Sequence, residues 1–155
     1  MIRSFRASDA QVLKEIIVLA FDGVSMDQNM ERIFGEQIGP TTWQERKRRA
    51  MEADILANPE GIFVAEDKGQ VVGFVTARLD PLTKIGWIVN MGVRPEHQGR
   101  GIGKRLLAKA LDYLREQGME YAKIETLEQN EVGKVFYPKA GFQEIARQIH
   151  YLRKL

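Results

Sequence analysis

The stretch Val93-Arg94-Pro95-Glu96-His97-Gln98-Gly99-Arg100-Gly101-Ile102-Gly103-Lys104 decides how this chain is built. The short apolar run from Ile88 to Val93 suits a buried strand. After the stretch, apolar residues recur at helical spacing and predict a helix that begins near Gly101: Leu106, Leu107, Ala110, Leu111 and Leu114. The stretch therefore joins a strand to a helix through a glycine-rich turn.

This turn has the features of an anion site. Glycine reaches φ > 0 at little cost, so three glycines in five residues can aim several backbone N–H groups at one point. The first N–H groups of the helix have no partner inside it, and the helix dipole favours an anion there. Arg100, Lys104 and Arg105 oppose that dipole unless a polyanion binds. A phosphate cradle is predicted, and the alternative is a solvated basic helix after an ordinary loop.

Length and composition limit the class of protein. The 155 residues, 44% hydrophobic and 28% charged, predict one folded domain over residues 1–155. A net charge of +2 is too small to indicate nucleic acid or a membrane as partner. The absence of cysteine excludes disulfides and thiolate chemistry, and with only His97 and His150 no metal site is expected. Without a signal peptide or an apolar run near 20 residues, a cytoplasmic protein is expected.

The order of predicted elements indicates an α/β fold with a mixed sheet. Helices are expected at about residues 10–20, 43–57, 101–117 and 130–137, and strands at 2–6, 62–66, 70–79, 86–93 and 121–127. A closing hairpin of residues 142–146 and 148–153 brings the sheet to about seven strands, flanked by about four helices. Residues 22–40 show the weakest secondary-structure pattern of the chain, and a short helix is expected around residues 30–34. Only the segment around the glycine turn forms a strand–helix–strand crossover, so the cradle is expected at the C-terminal end of a strand.

Two nucleotide motifs fit the glycines less well. A P-loop needs Ser or Thr after Gly-Lys and a longer glycine spacing, whereas Gly103-Lys104 is followed by Arg105. A dinucleotide fingerprint needs G-x-G-x-x-G, and the spacing from Gly99 to Gly103 differs, although Glu120 lies at about the right distance. Both stay open as weaker alternatives.

Gln98-Gly99-Arg100-Gly101-Ile102-Gly103 resembles the [QR]-x-x-G-x-[GA] signature of the GNAT superfamily of acyl-CoA N-acyltransferases. The flanking Val93-Arg94-Pro95 and Leu106-Leu107 are similar to that family, as are Asn130 and the later run Tyr137-Pro138-Lys139-Ala140-Gly141-Phe142. The resemblance covers about residue 60 to the C-terminus. It implies a GNAT-like mixed central sheet with a splayed central strand pair. Two departures are Gly133, where the family usually has alanine, and a long section over residues 22–57, where the acceptor pocket is normally built.

The resemblance also implies acetyl-CoA as co-substrate, with no metal. Met91, Gly92 and Val93 would pair with the pantetheine arm through main-chain atoms, and an N–H near Met91 would stabilise the oxyanion. Asn130 would hydrogen-bond the same arm, or would serve as a helix N-cap, or both. Backbone N–H groups of the turn would hold the pyrophosphate: Gln98, Gly99, Arg100, Gly101, Ile102, Gly103 and Lys104.

Two side chains match catalytic positions of the family. Tyr137 would be the acid at the coenzyme A sulfur, and its alternative is a core aromatic. The spacing of Glu125 to Asn130 and Tyr137 is similar to that in the ribosomal-protein N-terminal alanine acetyltransferases, where a glutamate is the base. The alternative for Glu125 is a surface residue beside Lys123. His97 is a weaker candidate for the base.

The resulting expectation is an N-acetyltransferase that moves the acetyl group of acetyl-CoA to a primary amine through a ternary complex. The acceptor could be a small molecule, an amino acid or a protein N-terminus. The alternative is a non-catalytic sensor that binds acetyl-CoA or coenzyme A. Many members of the resembled family pair through their C-terminal strands, so the resemblance implies a homodimer. Ile149, Tyr151 and Leu152 offer apolar surface in the last predicted strand.

Overall fold

The computed structural model describes residues 1–155 and contains five strands and five α-helices. The strands are β1 (Ile2–Ser4), β2 (Ile62–Asp67), β3 (Gln70–Arg78), β4 (Ile85–Val93) and β5 (Tyr121–Ile124). The helices are α1 (Ala10–Phe21), α2 (Met26–Phe34), α3 (Trp43–Ala57), α4 (Ile102–Glu116) and α5 (Glu131–Lys139). No helix has both the length and the apolar character needed to cross a membrane.

The strands form one mixed sheet in the order β1-β2-β3-β4-β5. β1 to β4 are antiparallel neighbours, whereas β5 is parallel to β4. A parallel pair requires a crossover, and α4 provides it. The predicted strand–helix–strand unit after the glycine turn is therefore confirmed, and the turn lies at the C-terminal end of β4.

Helices cover both faces of the sheet. Side chains alternate along a strand, so neighbouring residues of β2 and β3 enter different cores. Val64 and Phe74 pack with α1 and α3, in a core completed by Leu13, Ile16, Ile17, Met51 and Ile62. Phe63 and Val75 face the opposite side and pack with α4, where Leu106, Leu107, Ala110 and Leu114 are buried. We call these the α3 face and the α4 face.

The sheet has five strands, so the prediction of about seven was wrong. Residues 142–155 contain no strand, and the outer edge of β5 has no partner. Arg147 forms an ion pair with Glu128, and Lys154 forms one with Glu36, just after the residue that ends the second helix, at 2.7 Å. A strand forms only where a second strand accepts its backbone hydrogen bonds. Local sequence pattern does not supply that partner, so it predicted a hairpin that does not form.

The number of helices was also underestimated, because α2 spans Met26–Phe34, whereas only a short helix around residues 30–34 was expected. Its sequence is polar overall and no residue in it is buried, so its full length was not predicted, although Met26, Met30 and Ile33 recur at helical spacing. Gly35 ends it in the left-handed conformation with φ 68°. Arg46 of α3 fixes α2 in place by ion pairs with Asp27 and Glu31, both at 3.0 Å.

Candidate active site

The glycine turn presents a row of free backbone N–H groups. Gly99 and Gly101 have φ of 76° and 74°, and Gly101 is the N-cap of α4 without any side-chain cap. None of the amides from Gly99 to Lys104 donates to an acceptor within the chain. The Gln98 amide differs, because it closes a short helical turn on the Pro95 carbonyl at 3.2 Å. The predicted cradle therefore consists of the amides after Gln98.

The surroundings of the turn suit an anion. A Cβ placed on Gly99 or Gly101 would meet nothing within 4 Å, so the space beside both residues is open. Arg100, Lys104 and Arg105 are exposed and form no ion pair within the chain. Unpaired amides at a helix N-terminus with unpaired cations around them fit a pyrophosphate group. The residues present therefore fit a ligand such as acetyl-CoA.

β5 pairs only with the first four residues of β4, because β5 ends at Ile124. Their pairing ends at Ile88↔Ile124, and beyond that point β4 keeps a partner only on the β3 side. The register between β3 and β4 changes from Thr76↔Asn90 to Ala77↔Ile88, which leaves Val89 as a β-bulge. A bulge bends a strand and increases its twist. The resemblance implies a splayed strand pair at this place, and we call the space between β4 after Ile88 and the chain after Ile124 the gap.

The main chain of β4 alternates between β3 and the gap. The Asn90 amide donates to Thr76 Oγ1 at 3.0 Å, and the Arg94 amide donates to the Val72 carbonyl at 2.8 Å, both on the β3 side. Successive N–H groups of a strand point to opposite edges, so those of Met91 and Val93 face the gap. The Gly92 amide faces β3 like that of Asn90.

Glycine at position 92 serves close packing. A Cβ at Gly92 would lie 2.7 Å from Ala20 Cβ of α1 and 3.0 Å from the Phe74 ring. Contacts that short do not occur between real side chains, so a larger residue would push α1 away from the sheet. Gly92 thus lets α1 approach β4 directly beside the gap.

Tyr137 lies on the α4 face, half-buried in an aromatic cluster. Its ring makes edge contacts with Phe136 and Phe142, with centroid distances of 5.2 and 6.0 Å. Its hydroxyl makes no hydrogen bond within the chain, and burial raises the pKa of Tyr137 to about 12. The phenol therefore keeps its proton throughout the neutral range and can act as a hydrogen-bond donor.

Glu125 follows the last paired residue of β5, at the opening of the gap. Its side chain is 59% exposed and forms an ion pair with Lys123 at 3.0 Å. Ile124 packs into the α4-face core, so the alternation of β5 puts Lys123 and Glu125 on the α3 side. The two predicted catalytic side chains, Tyr137 and Glu125, therefore lie on opposite faces of the sheet.

His97 lies away from the gap. Its imidazole faces Asp67 at the end of β2, with Nε2 and Oδ2 3.7 Å apart. β3 and β4 separate that position from β5. This geometry does not support His97 as the base.

Asn130 caps α5, as the sequence predicted. Its Oδ1 accepts the Gly133 amide at 3.0 Å, and its Nδ2 donates to Thr126 Oγ1 at 2.9 Å. A Cβ at Gly133 would lie 2.8 Å from Asn130 Nδ2 and 2.9 Å from Thr126 Oγ1. The glycine that departs from the family pattern thus makes room for this cap.

Sequence reasoning missed two polar groups beside the gap. Gln129 ties the β5–α5 loop to the N-terminal half, through Asn29 at 2.7 and 3.0 Å and through the Gly23 carbonyl at 2.7 Å. Asp54 of α3 is 3% exposed and hydrogen-bonds to β3 and β4. The burial of Asp54 could have been predicted from the sequence, because Asp54 lies one helical turn after Met51 on the buried face of α3. Nothing in the local sequence indicated the role of Gln129, because its hydrogen-bond partners are 100 or more residues distant in sequence.

Comparison of the sequence with known proteins identifies relatives. Residues 28–142 match the model of the Acetyltransferase (GNAT) family. The mycothiol acetyltransferase of Thermomonospora curvata is 30% identical over 120 residues, which cover 77% of this chain and 40% of that protein. The mycothiol acetyltransferase of Rhodococcus jostii is 26% identical over 153 residues, which cover 92% of this chain and 50% of that protein. The chain spans half or less of the length of these relatives.

Solved structures share the fold. The PaiA N-acetyltransferase of Thermoplasma acidophilum in complex with coenzyme A superposes with a TM-score of 0.72 at 20% identity, covering 92% of this chain and 89% of that one. The ribosomal-protein-S18-alanine N-acetyltransferase of Escherichia coli gives 0.68 at 18% identity, with 94% and 79% covered. The latter belongs to the subgroup whose motif spacing the sequence resembles. Since the family model matches most of its length, this chain belongs to the acetyltransferase (GNAT) family.

Proposed function

We propose that this chain transfers the acetyl group of acetyl-CoA to a primary amine by direct attack in a ternary complex, with residues 1–155 acting as one domain. The acceptor is a small molecule, an amino acid or a protein N-terminus. The observation that carries the proposal is the row of unpaired amides from Gly99 to Lys104 next to a gap that the Met91 amide faces. The relatives named mycothiol acetyltransferase are longer, so only acetyl transfer is carried over from them.

Each group beside the gap has a role in this reaction. An ammonium ion has no lone pair, so the amine attacks the thioester carbonyl carbon in its neutral form. The Met91 amide donates to the carbonyl oxygen as negative charge develops there. The C–S bond then breaks, and the Tyr137 hydroxyl stabilises the departing thiolate. The surplus proton of the amine passes to Glu125, directly or through water.

The opposite placement of the two side chains supports this division of roles. Glu125 on the α3 side meets the acceptor, and Tyr137 on the α4 side meets the leaving sulfur. The N-terminal half, held to the β5–α5 loop by Gln129, borders the α3 side and is the proposed location of the acceptor pocket. In this arrangement the amine adds to the thioester carbonyl from the α3 side, and the C–S bond of the tetrahedral intermediate then breaks with the sulfur on the α4 side.

A screen that follows free thiol release from acetyl-CoA tests the function. We expect release with at least one member of a panel of small amines, amino acids and peptide N-termini. We also expect calorimetry to show that coenzyme A binds more tightly than ATP or NAD. Coenzyme A binding without thiol release from any amine would instead support the non-catalytic sensor, and preference for ATP or NAD would overturn the proposal.

Replacing Glu125 with glutamine keeps its shape and removes the proton acceptor. If Glu125 is the base, turnover should fall about 10²–10⁴-fold, and the acidic limb of the rate–pH profile should disappear or shift. Steady-state rates across a pH series measure both effects. Glu128→Gln is the matched control, since Glu128 is an exposed glutamate in the same loop, paired with Arg147. Turnover within about threefold of wild type would move the base to water or to a residue of the stretch 22–57.

We further propose a homodimer formed through the C-terminal segment. The free outer edge of β5 can pair with another chain, and Ile149 and Tyr151 are 78% and 89% exposed. We expect sedimentation at tens of micromolar to give a dimer mass for wild type and a monomer mass for Tyr151→Glu. Leu82→Glu, at an equally exposed position on the β3–β4 turn, should remain a dimer. A monomer mass for the wild type would contradict the proposal.

A further inference from the structure

Asp54 is a buried acid to which the proposed reaction assigns no role. Its Oδ1 accepts from Arg78 Nη2 at 2.8 Å, and its Oδ2 accepts from Thr76 Oγ1 and Asn90 Nδ2, both at 2.7 Å. Burying a carboxylate is costly unless it is paired, and a buried ion pair is not by itself a device for stability. Three hydrogen-bond donors converge on this one buried carboxylate, so stability alone does not explain the arrangement.

The hydrogen bonds of Asp54 converge on the bulge of β4. Thr76 is 1% exposed and lies opposite Asn90, the residue after the bulged Val89. Its Oγ1 accepts the Asn90 amide at 3.0 Å, in the place of a backbone carbonyl of β3. Asn90 is thus held twice, at its side chain by Asp54 and at its main chain by Thr76.

Asp54 also sets the direction of the Thr76 hydroxyl. A hydroxyl has one proton, which can go to Asp54 Oδ2 at 2.7 Å or to the Asn90 carbonyl at 3.4 Å. The short bond to the charged acceptor is the stronger one. With the proton on the Asp54 side, a lone pair of Oγ1 remains for the Asn90 amide. The three groups form a chain of bonds that polarise one another.

The next amide along β4 is that of Met91, which faces the gap. The Met91 N–H shares a peptide plane with the Asn90 carbonyl, so its direction depends on how Asn90 is held. We propose that Asp54 is a positioning residue for acetyl transfer, which acts through Thr76 and Asn90 to fix the bulge and aim the Met91 amide into the gap. This inference rests on the proposed function of the same site.

Asp54→Asn tests the inference, because asparagine keeps the size but places an N–H₂ group where an acceptor is needed. A small displacement of the Met91 N–H, the proposed oxyanion donor, is expected to lower kcat about 10- to 100-fold. KM for acetyl-CoA and the coenzyme A affinity should stay within about threefold of wild type, since the cradle amides are unchanged. Thr76→Val should give a similar loss of kcat, and Thr76→Ser, which keeps the hydroxyl, should restore most of it.

Tyr113→Phe is the matched control for loss of a buried hydrogen bond. The Tyr113 hydroxyl bonds with Asn58 on the α4 face, with distances of 3.2 and 3.3 Å, away from the gap. We expect this variant to lose stability without loss of kcat. If Asp54→Asn changes kcat no more than Tyr113→Phe does at matched thermal stability, the inference is overturned.

The amide of Met91 gives a readout that does not depend on turnover. In Asp54→Asn and Thr76→Val, the ¹H–¹⁵N resonance of Met91 should shift in the free protein, while those of Gly99 to Gly103 stay in place. A Met91 resonance that stays unchanged in both variants overturns the inference even if kcat falls. If wild type turns over no amine, the proposed function fails, and the Met91 resonance alone then decides whether Asp54 sets this amide.

Discussion

Replacing Gly101 with glutamate is expected to abolish coenzyme A binding. Gly101 has φ of 74° and is the N-cap of α4, and the space beside it is open, so the new side chain projects beside the free amides. A carboxylate there occupies the phosphate position and repels the ligand at the point where the helix dipole favours an anion. Calorimetric titration with coenzyme A measures the loss, and far-UV circular dichroism checks the fold. Gly103→Glu, within the first turn of α4, should have the same effect.

Gly118→Glu is the matched control for strain and charge. Gly118 has φ of 79° and lies just past the other end of the same helix, with nothing within 4 Å of an added Cβ. The backbone penalty of a non-glycine residue at positive φ is therefore similar, but the carboxylate is one helix length away from the cradle. We expect Gly118→Glu to bind coenzyme A normally. Unaltered affinity in a folded Gly101→Glu variant would rule out the cradle.

Tyr137→Phe should lower turnover while coenzyme A affinity barely moves. One acid–base group contributes about 10²–10⁴-fold. The lower end is expected here, because a phenol whose pKa is raised to about 12 holds its proton more firmly than a thiol with a pKa of about 8.5. The hydroxyl then acts mainly as a hydrogen-bond donor to the thiolate, and solvent completes the protonation. Rates of thiol release at saturating acetyl-CoA measure the loss.

Two measurements separate this role from simple packing. Tyr121→Phe, at an exposed position on β5, should leave turnover unchanged. Because the folded-state pKa lies above the usual value of about 10, the stability gained from the neutral phenol is present below pH 10 and is lost as the pH rises through about 12. Tyr137→Phe should remove that alkaline loss. Turnover within about threefold of wild type in this variant would leave Tyr137 as a core aromatic only.

Local sequence signals predicted the geometry of the glycine turn and of the elements beside it. The glycine turn, the N-terminus of α4 and the Asn130 cap all depend on residues within a few positions of one another. Their geometry follows from glycine φ values and from amides that a helix leaves unpaired. Local signals did not identify the candidate catalytic residues. Glu125 and Tyr137 were assigned by resemblance, and only the fold puts them on opposite faces of the sheet.

The chain by itself determined its five strands, its helices other than the full length of α2, and the glycine turn of the proposed anion site. These depend on short-range periodicity, capping and turn residues. The tertiary structure alone decided that residues 142–155 find no strand partner, that Gln129 reaches Asn29, and that Asp54 meets Thr76 and Asn90. The physical reason is that each of these features depends on a partner that is distant in sequence, and a local sequence pattern does not identify such a partner. Only the packing of α3 on the sheet brings the Asp54 carboxylate to the bulge of β4.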